Sequence, residues 1–104
     1  MMGHDIYGVN KAGKEIAYAR FSMGNYNATI LYSLLEAHKY YAGVSGSGDW
    51  STFSIQQIEK ALNKYKQLYK NGDSQNWDLK QILDFIQNCL ETAKKEESVK
   101  VYFG

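Results

Sequence analysis

Two imidazoles, two carboxylates and a guanidinium are the groups of this chain best suited to chemistry, and all lie in its first half: His4, Asp5, Arg20, His38 and Asp49. Imidazole and carboxylate together suit zinc and other divalent ions, which makes His4, Asp5, His38 and Asp49 a candidate metal set with Arg20 beside them. Their spacing gives no help. H-x-x-x-H, H-E-x-x-H and paired C-x-x-C are absent, so these groups meet only where the tertiary fold gathers them. Each histidine also has a plainer account. His4 stands close to the first residue, where exposure is ordinary. His38 follows Leu34 by four residues and Leu35 by three, which places it on an apolar helix side as a packing residue whose ring finds a main-chain carbonyl. Near a helix C-terminus its charged form is also favoured.

The segment Gly43-Val44-Ser45-Gly46-Ser47-Gly48-Asp49-Trp50 opens with three glycines and two serines in six residues, a composition that disfavours helix and strand alike. A loop is expected there, either a plain turn or a cover over a ligand. In the second case Ser45, Ser47, Asp49 and Trp50 join His4, Asp5, Arg20 and His38 as candidate ligand-binding residues. The loop is no phosphate cradle. It follows a helix rather than a strand, and Asp49 and Trp50 occupy the places where a Walker loop needs lysine and a hydroxyl. A G-x-S-x-G elbow is missing too, so nothing points to a serine nucleophile, and no catalytic residue is assigned.

Tyrosine is the unusual feature. Nine are present, six of them at or before Tyr41. A ring with a polar tip suits interfaces, although tyrosines at the borders of a small core would also bury their rings and wet their hydroxyls.

Composition bounds the rest. A chain of 104 residues, 44% hydrophobic and 22% charged, has the size and balance of one globular domain. Twelve basic against eleven acidic residues give a net charge of +1, too little field to gather phosphate backbones, so nucleic acid is not the expected partner. The lone Cys89 excludes an intrachain disulfide and falls on a helical apolar stripe, as a buried thiol does. No basic and apolar leader, membrane-spanning run or lipidation signal is read, and the cytoplasm is the expected compartment. No cofactor is expected.

The elements that must position these groups follow from periodicity. Ile6, Tyr7 and Val9, the polar turn Asn10 to Lys14, and Ile16 to Phe21 predict a hairpin. In its second strand Ile16, Tyr18 and Arg20 share one face. Ala17, Ala19 and Phe21 share the other, where the alanines leave room for a close-packed helix. Asn25 is read as the N-cap of a helix to about Tyr40, with Tyr26, Ile30, Leu31, Leu34, Leu35 and His38 on one side. Ser54 and Gln57 form a capping box for a second helix carrying Ile55, Ile58, Leu62, Tyr65 and Tyr69, stopped by Asn71-Gly72. Its Lys60, Lys64, Lys66 and Lys70 hold no aromatic partners that could stack bases, and read as a solvated face. A third helix opens near Asn76 to Asp78 with Leu79, Ile82, Leu83, Ile86, Cys89, Leu90 and Ala93 on one side, and Val99 to Phe103 alternate as a terminal strand.

The expected fold is therefore α+β in the order β-β-α-α-α-β: a small antiparallel sheet, made by the N-terminal hairpin and the C-terminal strand, packed against three helices. M-G-H-D-I-Y, G-K-E-I-A-Y-A-R and G-V-S-G-S-G resemble segments of small bacterial or phage proteins, a resemblance that implies no activity. The functional expectation is a non-enzymatic protein-interaction or homo-oligomeric module working through a tyrosine-bearing face. The alternative is a small-ligand or divalent-metal site, catalytic or not, under the Gly/Ser loop.

Overall fold

A computed structural model describes residues 3–22, 26–43, 45–69 and 77–104. Strands β1 (Gly3–Val9) and β2 (Glu15–Ser22) form the N-terminal hairpin, followed by α1 (Asn27–Leu35), β3 (Asp49–Ser54), α2 (Ile55–Leu68), α3 (Trp77–Glu96) and β4 (Ser98–Phe103). The four strands make one antiparallel sheet in the order β2-β1-β4-β3. The α+β class and the succession of hairpin, three helices and terminal strand are as expected. The terminal strand pairs with both β1 and β3, which satisfies its backbone on either side.

Alternation divides the sheet into two faces. His4 and Ile6 of β1, Ala17, Ala19 and Phe21 of β2, and Val99, Val101 and Phe103 of β4 are buried, whereas Tyr18, Arg20 and Lys100 between them are exposed. All but His4 of that buried set belong to the core that the helices share, through Leu31 and Tyr32 of α1, Ile58 and Ala61 of α2, and Ile82, Phe85, Ile86 and Cys89 of α3. Helix α3 comes so near β1 that a methyl group on Gly8 would stand 3.1 Å from Cys89 Sγ. Burial pushes the Cys89 thiol up to about 12, so it stays protonated filler. Ile16 departs from the expected alternation: the register shift at Gly8/Val9 lies beside it, and its side chain packs on the core.

Three local readings change. Tyr26, expected on the apolar side of the first helix, precedes α1 and is exposed. Helix α1 stops at Leu35 instead of running to Tyr40, because Glu36 turns left-handed (φ 55°) and the Glu36 and Ala37 N–H groups bond back to Ser33 and Tyr32 carbonyls. A Lys60–Glu36 ion pair of 2.7 Å ties this stop to α2. The Gly/Ser loop ends at Gly48, and Asp49–Ser54 is a strand with only Phe53 buried. The Ser54–Gln57 capping box is present, with both reciprocal bonds made. The Asn25 cap, the Asn71-Gly72 stop, Asn76 and Lys70 lie outside the described residues.

Candidate functional site

His4 and Asp5 are neighbours in a strand and therefore point to opposite sides of the sheet. His4 is not an exposed terminal residue. It is 1% exposed, its Nε2 shares a 2.6 Å hydrogen bond with the buried Tyr32 hydroxyl, and the rings of Phe21 and Tyr41 flank it. Burial lowers the His4 pKa against the opposing pull of the Asp5 charge, so the ring is neutral near pH 7. Burial likewise raises the Tyr32 hydroxyl pKa.

Asp5 faces the other way. It accepts a 2.6 Å hydrogen bond from the Tyr18 hydroxyl and lies 3.5 Å from Arg20 Nε. That bond is the main reason the Tyr18 pKa is raised. His38, expected on a helix's apolar side, is exposed, because the early stop of α1 places it in a short 3-10 turn, His38–Tyr40. Ser45 Oγ bonds within its own turn to the Gly46 carbonyl, and Ser47 Oγ donates to Asp49 at 2.6 Å. Asp5, Arg20 and Tyr18 thus come together, as do Ser47 and Asp49, while His4 and His38 belong to neither group. Among the described residues, no three His, Cys, Asp or Glu side chains are placed to hold a metal ion.

The loop is fastened down. Ala42 N–H bonds to Ser45, Ser47 N–H to Tyr40, Gly46 N–H to Gly104 and Gly48 N–H to Phe103, all at 2.8–2.9 Å. Gly46 lies so close to the end of β4 that a β-carbon there would be 2.4 Å from the Phe103 carbonyl oxygen. The segment is a clip on the last strand, closing the core beside Tyr32.

The side chains that share a surface lie instead on the sheet face away from the helices. The register aligns Tyr18 with Tyr7, Tyr7 with Tyr102, and Tyr102 with Trp50. Residues in register on neighbouring strands project to the same side, so each strand contributes one ring to a row across the sheet. Tyr102 packs against both Tyr7 (5.1 Å between ring centres) and Trp50 (4.9 Å), and Tyr7 meets Trp50 edge-on at 5.9 Å. Lys100 Nζ sits 5.1 Å from the indole centre, and the Asp5–Arg20 pair borders Tyr18 at the other end. Tyr18 and Trp50 remain 46% and 42% exposed. Beside Trp50 the row opens into a groove of about 410 Å³ that reaches Lys11, Lys100 and Thr52.

Of the sequence candidates, Asp5, Arg20 and Trp50 belong to this face. Tyr7, Tyr18, Tyr102 and Lys100 are not among those candidates. Their signal is strand alternation, Tyr18 opposite Ala17 and Ala19, and Tyr102 between Val101 and Phe103, but alignment into a row requires the strand order. Such a row can bury rings against a partner surface, and its hydroxyl–carboxylate pair, Tyr18 with Asp5, holds the Tyr18 hydroxyl protonated instead of activating it, because that bond raises its pKa. No family model, curated protein or solved structure matches the chain. Among the described residues, no helix is long and apolar enough to cross a membrane.

Proposed function

We propose that this protein is a non-enzymatic protein-interaction module, acting in the cytoplasm, that docks a second protein surface on the open face of its sheet. The observation behind this reading is the row Tyr18–Tyr7–Tyr102–Trp50, one ring from each strand, with Arg20 and Lys100 at its borders. Tyrosine, tryptophan and arginine concentrate binding energy at protein interfaces: the two rings bury large areas at small entropic cost, and the guanidinium supplies a planar fork of donors. The balanced charge favours protein over nucleic acid. Arg20 is paired with Asp5, and the rings pack on one another instead of standing apart to receive bases. A second copy is the simplest partner, because two identical faces meet about a twofold axis without any new chemistry.

The test is a photocrosslinking amino acid placed at Tyr18 or at Tyr102 in living cells, with Lys94 on the exposed side of α3 as control. Adducts should form from the two sheet positions, be lost when Trp50→Ser is added, and be absent from the control. Equal crosslinking from all three sites would contradict the reading. Sedimentation equilibrium of the purified chain then tells whether the adduct is a second copy.

A further inference from the structure

The two edges of the sheet differ. At the β2 edge the Gln81 side chain, reaching from α3, imitates a neighbouring strand: its Oε1 accepts from Arg20 N–H at 2.7 Å and its Nε2 donates to the Arg20 carbonyl at 2.9 Å. That edge is closed to pairing there. At the β3 edge the capping-box Gln57 takes Ser54 N–H. Among the described residues, nothing bonds to that edge between Trp50 and Phe53 beyond the β4 ladder.

Grooves flank the open edge on both sides. On the outer side, the groove at Trp50 and Thr52 is lined by Lys11 and Lys100, with the Lys100 ammonium 5.1 Å from the Trp50 ring centre; among the described residues no carboxylate lines it, Glu96 bonds only the Lys11 main-chain N–H, and neither lysine is in an ion pair. On the helix side a groove of about 220 Å³, the size of one medium side chain, has Tyr40 and the edges of the buried Phe53, Leu34 and Leu35 on its floor and Ser51, Gln57 and the paired Glu36 and Lys60 on its rim. An added strand would project alternate side chains toward these two grooves, as strand addition requires: main-chain bonds supply affinity and alternating pockets supply selectivity. We propose that the β3 edge accepts an extended acidic segment of a partner polypeptide as a fifth strand, with carboxylates toward Lys100 and Lys11 and one intervening apolar side chain seated in the groove beside Phe53 and Tyr40. Strands lie ~4.8 Å apart, so a glutamate on the new strand and Lys100 are two such steps apart, a gap their long side chains close across the small Thr52.

This edge adjoins the aromatic face at Trp50 and Lys100, and the test keeps the two readings apart. The probes are capped octapeptides added to the full-length, isotopically labelled chain: one alternating valine and glutamate, one alternating valine and lysine, and one valine–glutamate peptide with a central proline. The readout is hydrogen exchange at the β3 amides that point away from β4. The valine–glutamate peptide should slow exchange by about tenfold or more, and the other two should not. Lys100→Glu should reverse the preference between the glutamate and lysine peptides, while Tyr18→Ser, at the far end of the aromatic row and outside both grooves, should leave the protection unchanged. Absence of protection, or equal protection by the lysine peptide, would overturn the proposal. Protection that appears on raising the protein concentration alone would also overturn it and assign the edge to a second copy.

Discussion

Both faces of the sheet are aromatic, and they use their rings differently. Beneath the helices His4, Tyr32, Tyr40, Tyr41 and Phe103 interlock at centre distances of 5.0–6.1 Å, with Tyr40 stacked flat on Phe103. Their burial is explained by the core they complete. On the open face Tyr7, Tyr102 and Trp50 touch one another just as closely, but among the described residues no layer covers them. Tyr102 and Phe103 are adjacent in one strand, one on each side. Rings that stabilise the fold can therefore be separated from rings in excess of what the fold needs, and the excess is where binding is sought.

Substitutions on the two sides sharpen or break this contrast. The largest effect is expected from Phe103→Ala, which empties a fully buried site and should lower unfolding stability by ~3–5 kcal/mol in urea titration. Gly46→Ala comes next. Its methyl group meets the Phe103 main chain, so the clip must lift, at a cost of roughly 1–3 kcal/mol with loss of amide protection at Gly46 and Gly48. His4 gives the inner cluster a pH signature. Its folded pKa lies below the ordinary 6.5, so the unfolded chain takes up the proton first. Stability is then full above pH 6.5 and falls as pH drops toward the folded value, by at most ~1.4 kcal/mol per pH unit from this site. A His4→Asn chain, though less stable throughout, should lose that contribution to the slope. The smallest effect belongs to the open face: Tyr102→Ser should change stability by about 1 kcal/mol or less while abolishing crosslinking. A loss comparable to that of Phe103→Ala would mean that the outer rings are structural after all.

Much of the architecture was legible because it rests on local patterns. Strand alternation in β2 and β4, the Ser54–Gln57 box and the stripes of α2 and α3 are short-range signals, and they appear where the periodicity places them. β3 was hidden because an edge strand with one buried side chain needs little apolar alternation, and its Asp-Trp-Ser-Thr run follows glycines that read as loop. The end of α1 was hidden because a left-handed Glu36 carries no glycine signal and is held by a distant lysine. The site was the least legible part. Asp5, Arg20 and Trp50 stand out by their chemistry, but nothing in the sequence separates them from His4, which faces the core, or from His38, which the early stop exposes. The aromatic row depends on the order β2-β1-β4-β3, a long-range fact that composition does not carry.

Hydroxyl-radical footprinting tests the central claim most directly, comparing oxidation of Tyr7, Tyr18, Trp50 and Tyr102 in the dilute purified chain and inside cells. Ready oxidation of all four in dilute solution, with protection in cells that does not extend to Trp77 outside the row, is the predicted result. Equal oxidation in both settings would show that the open face meets no partner and would contradict the account.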